Sequence, residues 1–482
     1  MENRMRKTKI ICTLGPAVEQ EEMLRELILG GMNCARLNFS HGTQEEQKAR
    51  MDRVKKVRRE LNRPVALLLD TKGPEIRLGL FEHGFEMLEE GQEFTLCADA
   101  SVSGNKERAG ITYPYLAEHL KPGTRVLIDD GNIGMVVLRT EGENVVFRVL
   151  NGGKVSNRKS INIPDVEIPM EYISEADQKD ILFGIAQEVD FIAASFVRSA
   201  QDILDVRKLL VDNGGGKIQI IAKIENMQGI NHAEEIIAVS DGVMVARGDM
   251  GVEVEFTRLP AIQKQLIRKC YEAGKIVITA TQMLESMMHN PRPTRAEISD
   301  VANAVYDGTT ATMLSGESAA GAYPVEAVTT MARIAEETEK SIDYVKRFHE
   351  RQVNLGDNIS CIIAEAACAA AHRCNAAAIV VLTRNGYTAE LISGFHPKCP
   401  IFAGVIDEQG ARQLTLAFGV QPFYAQEQES AESLFDYAVE IARKSGMVSA
   451  GDTIVIVAGD NLKQGKPNNM LKLYRMEESS SC

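Results

Sequence analysis

Features that define several classes of protein are missing from this sequence. No stretch of about 18 or more apolar residues occurs, so we expect no transmembrane helix. The basic N-terminus is followed by only a short apolar segment, which argues against a signal peptide. The nine cysteines are odd in number and form no C-x-x-C pair, which argues against a disulfide framework or a zinc site. These absences favour a cytoplasmic location.

Positive charge is also scarce. Lysine and arginine total 54 against 67 aspartates and glutamates, which gives a formal net charge of −13. Proteins that bind nucleic acid usually carry a basic surface, so DNA and RNA are not expected partners. The net charge does not exclude binding of a small anionic ligand, because a few arginines and lysines near a site can outweigh distant acidic groups. The remaining composition, 44% hydrophobic and 25% charged, is that of a globular protein with a large core.

What the sequence does contain is a repeated unit. A short β-branched apolar run ends in a polar cluster and is followed by helical periodicity, which predicts alternating strands and helices. Eight such units cover residues 1–71 and 168–342 and predict a (β/α)8 TIM barrel, whose typical length is about 250 residues. The predicted strands are Lys9–Leu14, Asn33–Asn38, Pro64–Asp70, Asp190–Phe196, Lys217–Ile224, Gly242–Ala246, Lys275–Ala280 and Thr309–Leu314.

Two regions depart from this barrel pattern. Residues 72–167 contain short strand-like runs between glycine, asparagine and proline turns, which predicts a small all-β insertion. A second α/β alternation begins near Asn358, so residues 356–482 are predicted to form a separate three-layer α/β domain. Its predicted strands are Ala377–Thr383, Ile401–Val405 and Thr453–Ala458.

The polar clusters fall at the C-terminal ends of the barrel strands, where such barrels carry their active sites. Because side chains alternate along a strand, Lys223 and Glu225 are expected to point the same way. Glu225 and Asp249 follow adjacent strands and could share one hard cation such as Mg²⁺. Arg36 and Arg77 suit bidentate binding of a phosphate or a carboxylate.

Other interpretations of these clusters stay open. Gly248 and Gly251 flank Asp249 at a predicted strand-to-helix turn, where exposed amides could bind an anion. The Lys-x-Glu pair at 223–225 could be a structural ion pair, and His41 could cap a helix. Spacing alone therefore indicates a metal-assisted enzyme acting on an anionic substrate, which includes class II-type aldolases. A catalytically inactive scaffold is the alternative outside the enzymes, although it predicts loss of the metal or lysine positions.

Seven sequence strings narrow these alternatives, because together and in this order they resemble the pyruvate kinase family. The strings are Arg36–Gly42 (RLNFSHG), Asp70–Gly79 (DTKGPEIRLG), Ile221–Asn226 (IAKIEN), Val245–Gly251 (VARGDMG), Thr279–Leu284 (TATQML), Pro291–Asp300 (PRPTRAEISD) and Met313–Ser318 (MLSGES).

The resemblance implies both the fold and the reaction. The expected fold is a (β/α)8 barrel with an inserted small β-barrel lid domain and a C-terminal effector domain. The expected reaction transfers the phosphoryl group of phosphoenolpyruvate to ADP, which gives pyruvate and ATP in the last step of glycolysis. The resemblance also implies Mg²⁺ or Mn²⁺ and K⁺ as cofactors, a homotetramer, and a phosphorylated allosteric effector.

The resemblance also assigns roles at matching positions. Lys223 would neutralise the phosphoryl group in transit and the enolate, and Arg36 would bind the phosphate of phosphoenolpyruvate. The proton that completes pyruvate would come from water near Thr281 and Ser315. The carboxylate of phosphoenolpyruvate would be seated by Gly248, Asp249 and Thr281. The nucleotide would face His41, Arg77 and Lys159. Mg²⁺ would be held by Glu225 and Asp249. K⁺ would be held by Asn38, Ser40, Asp70 and Thr71.

Two implied features concern regulation and the monovalent ion. Within the family, an acid at the position of Glu75 accompanies a need for K⁺, whereas Glu75 could otherwise simply pair with Lys72. The segment Gln464–Asn469 departs from the usual Gly-Thr-Thr-Asn pattern, and Asn385 stands where the family often has Ser or Thr. Both departures leave the effector's identity open. The implied effector loop consists of Thr383, Arg384, Asn385, Gly386 and Thr388.

Overall fold

Eight parallel strands close into a barrel, in which each strand pairs with its neighbours in chain order and the eighth pairs with the first. All eight predicted strands are confirmed, most of them beginning one or two residues later than predicted. The computed structural model describes residues 5–164, 166–350, 358–428, 430–459 and 467–477. The barrel strands are β1 (Lys9–Thr13), β2 (Cys34–Asn38), β3 (Ala66–Asp70), β4 (Phe191–Ala194), β5 (Gln219–Ile224), β6 (Gly242–Ala246), β7 (Ile276–Ala280) and β8 (Ala311–Leu314).

Helices surround this barrel and begin where capping side chains satisfy free backbone amides. Thr43 and Thr294 each form the reciprocal capping box that their spacing predicts, and Pro324 occupies the first turn of the last long barrel helix. None of the helices in the described ranges combines the length and apolar character needed to span a membrane. The helices in and beside the barrel are Glu21–Gly30, Gln44–Glu60, Glu175–Ala186, Ala200–Asp212, Met227–Asn231, Ala233–Val239, Arg247–Glu253, Leu259–Glu272, Arg295–Asp307, Gly316–Ala319, Pro324–Lys340 and Tyr344–Glu350.

The interior of the barrel is filled with side chains. Ile11, Leu68, Phe191 and Ile278 belong to one fully buried cluster inside the barrel. A larger apolar cluster lies between the strands and the surrounding helices. The barrel therefore has no open channel, and a ligand has access only to its two ends.

The insertion forms the small β-barrel that was expected. Seven of its strands form one mixed sheet, while Phe85–Leu88 pairs only with Gly153–Ser156. The two ends of the seven-stranded sheet meet, because Leu78 pairs with Ile111 and the Thr112 amide donates to the carbonyl of Arg77 at 2.9 Å, which closes the sheet into a barrel. In sheet order, the seven strands are Ile76–Arg77, Ser160–Asn162, Arg125–Ile128, Ile133–Glu141, Asn144–Val149, Glu93–Cys97 and Arg108–Gly110.

The C-terminal part folds as the predicted three-layer α/β arrangement. Its five-stranded sheet contains the three predicted strands and two further edge strands, Val420–Tyr424 and Met470–Arg475. Edge strands are exposed on one side, so they lack the apolar runs that reveal central strands. The central strands are Ala378–Thr383, Ile401–Val405 and Thr453–Ala458, and the helices are Ile359–Arg373, Tyr387–Gly394, Glu408–Gln413 and Ala431–Lys444.

The C-terminal sheet region joins the barrel at the N-terminal ends of the barrel strands. Leu416 is fully buried and belongs to the apolar cluster inside the barrel. Arg412 donates from Nε to Oδ1 of the buried Asp190 at 2.8 Å, and Lys9 donates to the carbonyl of Val420 at 2.5 Å. This joint leaves the C-terminal ends of the barrel strands free for a site.

Candidate active site

One cleft, with a volume of about 350 Å³, lies between the C-terminal ends of the barrel strands and the insertion. Most of the predicted site residues line it, although they come from strand ends that are far apart in the sequence. Five further residues with a carboxyl or hydroxyl group line it as well: Glu75, Asp129, Asp130, Ser160 and Ser195. The predicted residues that line the cleft are Arg36, Asn38, Ser40, His41, Arg77, Lys159, Lys223, Glu225 and Asp249.

Lys223 is the buried cation at the base of this cleft. Its Nζ atom lies 2.9 Å from Asp70 Oδ1, 3.1 Å from Glu225 Oε1 and 2.6 Å from Ser195 Oγ. Burial by itself would lower the pKa of Lys223, but the carboxylates of Asp70 and Glu225 raise it above its ordinary value. The ammonium group is therefore charged and fixed in position.

Arg36 is the second fixed cation. It donates from Nε to Asp70 Oδ2 at 2.6 Å and from Nη1 to Thr13 Oγ1 at 2.9 Å. Burial would raise the pKa of Asp70, but Arg36 and Lys223 together hold it below its ordinary value. Among the described residues, Nη2 of Arg36 has no hydrogen-bond partner, so it can bind an anion in the cleft.

Glu225 and Asp249 form the acidic part of the cleft. Glu225 Oε2 accepts from the amide of Phe196 at 2.6 Å, while Oε1 accepts no hydrogen bond from the described residues. Burial raises the pKa of Glu225 to about 8, with Lys223 lowering it and Asp249 raising it. A bound cation would relieve this cost of keeping Glu225 charged. The donor chemistry therefore fits Mg²⁺, which commonly takes one or two carboxylates and completes its shell with water and substrate oxygens.

Mg²⁺ would depend on the substrate for part of its coordination. In the portion of the chain that the structure describes, no group of three or more His, Cys, Asp or Glu side chains could hold a metal alone. Two carboxylates and the oxygens of a bound anion meet the requirement instead.

Gly248 and Thr281 lie beside Asp249 but do not line the cleft. The amide of Gly248 donates to Thr281 Oγ1 at 2.8 Å, so it is engaged and not exposed as expected. Gly248 and Gly251 lie within the helix Arg247–Glu253, because this short helix begins directly after β6. Thr281 has a left-handed backbone, with φ of +68°, a strained conformation that often occurs at functional sites.

Ser315 lies after β8 and away from the cleft lining. Its amide donates to Glu317 Oε2 at 2.8 Å. Its hydroxyl oxygen is buried and has no hydrogen-bond partner among the described residues. The role predicted for Ser315, close to the water that gives its proton to the enolate, stays a prediction.

The four residues predicted to hold K⁺ lie at two adjacent strand ends. Asn38 and Asp70 are paired across β2 and β3. The Thr71 carbonyl accepts from Ser195 Oγ at 2.6 Å, and Asn38 Oδ1 accepts from the Ser40 amide at 3.1 Å. Every potential ligand is an oxygen, and those of Asp70 already accept from Lys223 and Arg36. The set therefore fits a hard monovalent cation.

The two basic side chains that the insertion contributes to the cleft, Arg77 and Lys159, are each paired with an acidic residue. Arg77 donates from Nη2 to Glu75 Oε2 at 2.7 Å, and Lys159 Nζ lies 2.6 Å from Asp129 Oδ1. The partner of Glu75 is thus Arg77, and the alternative pairing with Lys72 is wrong. A polyanion in the cleft would compete with both acids for these cations.

Sequence reasoning missed several residues that build the site. Ser195 connects Lys223 with Asp70 and Thr71, and the Phe196 amide orients Glu225. Both lie at the end of the predicted strand Asp190–Phe196, so a search of that strand end for polar groups could have found Ser195. Asp129 lies in the insertion, where no pattern distinguishes it from other turn residues.

The predicted effector loop follows the strand Ala378–Thr383 of the C-terminal sheet. Gly386 has φ of +96°, and its amide donates to Thr383 Oγ1 at 3.3 Å. The amide of Tyr387 donates to Asn385 Oδ1 at 3.3 Å. Arg384 is exposed and Thr388 is buried. Of the segment Gln464–Asn469, residues 464–466 lie outside the described residues.

Comparisons with known proteins agree with this geometry. The family "Pyruvate kinase, barrel domain" matches residues 5–328, and "Pyruvate kinase, alpha/beta domain" matches residues 361–474. A pyruvate kinase from Clostridium acetobutylicum is 48% identical over 473 residues, covering 98% of this chain and 100% of the relative. One from Staphylococcus haemolyticus is 47% identical over 473 residues, covering 98% and 80%. The crystal structure of a pyruvate kinase from Cryptosporidium parvum has a TM-score of 0.93 and 38% identity, covering 98% of this chain and 96% of that one.

Proposed function

The chain belongs to the pyruvate kinase family and transfers the phosphoryl group of phosphoenolpyruvate to ADP, and we propose that the cleft at Lys223 is where this happens. The observation that carries the proposal is the arrangement of Lys223 beside Asp70, Ser195 and Glu225. The test is a coupled assay that measures pyruvate and ATP formed from phosphoenolpyruvate and ADP in the presence of Mg²⁺ and K⁺. Absence of ATP formation would contradict the assignment.

Lys223 and Arg36 bind the phosphoryl group in this proposal. Phosphoryl transfer requires positioning and charge stabilisation more than covalent chemistry. Arg36 has one guanidinium nitrogen available for the phosphoryl group. Asp70 fixes Arg36 and Lys223 in position by accepting a hydrogen bond from each. Lys223 also balances the negative charge that develops on the enolate oxygen when the phosphoryl group leaves.

Glu225 and Asp249 would hold Mg²⁺ or Mn²⁺. When bound, the divalent ion supplies positive charge that neutralises phosphate and carboxylate oxygens. Gly248 and Thr281 would then seat the carboxylate of phosphoenolpyruvate next to Asp249, with the Gly248 amide exchanging its hydrogen bond to Thr281 Oγ1 for one to the substrate. Ser315 and Thr281 hold the water that gives its proton to the enolate.

ADP would bind on the insertion side of the cleft. His41, Arg77 and Lys159 line that side, and the two cations exchange their acidic partners for the phosphates of the nucleotide. The insertion, residues 72–167, then acts as a lid that excludes water from the transferring group. An aldolase would have no use for these nucleotide-facing cations, and an inactive scaffold would not need to keep Lys223 with both acids.

The same proposal extends to the rest of the chain. Residues 1–71 and 168–342 form the catalytic barrel, and residues 356–482 form an effector domain. A homotetramer is the proposed assembly. A cytoplasmic location is proposed because phosphoenolpyruvate and ADP are polyanions that do not cross membranes unaided.

Activity is expected to depend on K⁺. The oxygens of Asn38, Ser40, Asp70 and Thr71 suit a monovalent cation, whose charge lowers the repulsion between two polyanionic substrates. We expect about a 10²-fold loss of turnover in buffer without monovalent cations, and recovery on adding KCl. Replacing Glu75 with Lys should reduce this dependence, because the new ammonium group supplies a built-in charge.

The matched control for this experiment is Glu75→Gln. It removes the ion pair with Arg77, as Glu75→Lys does, but adds no positive charge. Glu75→Gln should therefore keep the K⁺ dependence. Full activity of the unmodified enzyme without any monovalent cation would contradict both the K⁺ site and the role of Glu75.

Activation by a phosphorylated effector is expected to require the loop Thr383–Thr388. A phosphate could replace the internal hydrogen bonds of the Gly386 and Tyr387 amides and pair with exposed Arg384. The double variant Arg384→Ala, Thr388→Val should lose activation by any sugar phosphate or AMP that activates the unmodified enzyme. Basal activity should not change, because the loop lies outside the barrel. Intact activation in the double variant would exclude this loop.

A further inference from the structure

A second cavity lies at the opposite end of the barrel from the active-site cleft, where the barrel meets the C-terminal sheet region. Its volume of about 440 Å³ is within the range of roughly 300–1,000 Å³ that small-molecule sites occupy. Gln219, Asp241 and Lys275 line it from the N-terminal ends of β5, β6 and β7. Glu390 and Leu391 line it from the helix Tyr387–Gly394. We call it the joint cavity.

The joint cavity contains an unsatisfied acceptor. Glu390 Oε1 accepts from Gln219 Nε2 at 2.8 Å, and this hydrogen bond crosses from one side of the cavity to the other. Gln219 Oε1 is buried and accepts no hydrogen bond from any described residue. A buried acceptor without a donor is costly, so a ligand that offers N–H groups would recover that free energy.

Charge in the joint cavity also favours a cation. Its lining holds the acids Asp241 and Glu390 and one lysine, and because Asp241 is already paired with Arg207 at 2.6 Å, Glu390 is the acid to which a bound cation would be attracted. Lys275 Nζ is held at its strand end by donating to the carbonyl of Ser240 at 2.8 Å. Burial raises the pKa of Glu390, with the hydrogen bond from Gln219 opposing this effect, so a neighbouring cation would lower the cost of its charge.

Part of the remaining lining of the joint cavity is apolar, beside the polar residues Thr310 and Ser393. Ile276, Leu391 and Ala417 contribute hydrocarbon surface, and Tyr387 contributes a ring. Such a surface suits an aliphatic chain between polar ends.

We propose that the joint cavity binds a small aliphatic amine, with its ammonium group between Glu390 and Gln219 Oε1 and its alkyl chain along Leu391 and Tyr387. The ligand bridges the helix Tyr387–Gly394 to the barrel strand β5, so it stabilises the joint between the two. The same helix follows directly after Gly386 of the candidate effector loop.

The experiment measures binding of 1,4-diaminobutane to the full-length protein by calorimetry, with 1,4-butanediol as the uncharged probe of the same length. We expect the diamine to bind and to raise the melting temperature, and the diol to do neither. Glu390→Gln should weaken binding about tenfold or more, the loss expected for a hydrogen bond to a charged group. Lys275→Met should strengthen it, since it removes the one lysine of the lining.

Two controls keep the outcome decisive. Glu365→Gln changes an exposed acid on the helix Ile359–Arg373 and should leave diamine binding unchanged. Basal phosphoryl transfer is measured for each variant to verify that it is folded. If Glu390→Gln does not fold, the effect of Lys275→Met on diamine binding tests the proposal instead. The proposal is overturned if millimolar diamine does not bind, if the diol binds equally well, if Lys275→Met weakens binding, or if inorganic phosphate binds there instead.

Discussion

Replacing Lys223 with methionine is expected to abolish phosphoryl transfer while leaving substrate binding measurable. Loss of one positioned electrostatic donor costs about 10²–10³-fold in turnover, and Lys223 is proposed to act on both the transferring phosphoryl group and the enolate. Arg36 and the acids Glu225 and Asp249 stay in place, so phosphoenolpyruvate and Mg²⁺ should still bind. Steady-state turnover and calorimetric titration with phosphoenolpyruvate separate the two effects.

The Lys223→Met variant must be shown to be folded, because it leaves the buried Glu225 without its cation and Asp70 with Arg36 alone. A lower melting temperature is expected for that reason. Lys208→Met changes an exposed lysine on the helix Ala200–Asp212 and serves as the matched control with unchanged turnover. Near-normal turnover in Lys223→Met would remove Lys223 from the mechanism.

Glu225→Gln and Asp249→Asn are each expected to raise the Mg²⁺ concentration needed for half-maximal activity by about 10- to 100-fold or more. Loss of residues that merely support metal ligands already costs this much, and these two side chains are proposed as ligands themselves. A neutral amide oxygen is also a weaker ligand than a carboxylate for a hard cation.

The two acids should differ in how they respond. Glu225 is buried and faces Lys223 at 3.1 Å, so Glu225→Gln also removes a countercharge from Lys223 and should disturb turnover more. Asp249 is only partly buried, and its variant should act mainly on the metal. Glu255→Gln, an exposed acid six residues further along, is the control. An unchanged Mg²⁺ midpoint in both site variants would place the metal elsewhere.

The sequence was sufficient to predict which side chains meet at the C-terminal ends of the barrel strands, because strand geometry determines their positions. The two-residue period of a strand aligns Lys223 with Glu225, and parallel strands bring their C-terminal ends to one edge of the barrel. The partners of side chains are less predictable, because they depend on rotamers and on distant loops. Glu75 pairs with Arg77, and the Gly248 amide is taken by Thr281.

Fold prediction failed for short or exposed elements. The helix Arg247–Glu253 has too few residues to show a period, and the edge strand Met470–Arg475 includes exposed lysine and arginine positions. The contact of Arg412 with Asp190 joins residues 222 positions apart, and no local pattern encodes such a pair. Long-range joints of this kind become visible only in three dimensions.

The position of Leu416 has a consequence for how such a chain can change over evolution. One end of the barrel interior is completed by a side chain from the C-terminal region, and the same region supplies Arg412, the nearer of two cations beside the buried Asp190. Separating the two parts would leave an apolar opening and a buried carboxylate whose remaining cation, Arg58, lies 3.9 Å away. The barrel is therefore not an independent module, and its C-terminal region cannot be exchanged or lost unless the interior of the barrel changes with it.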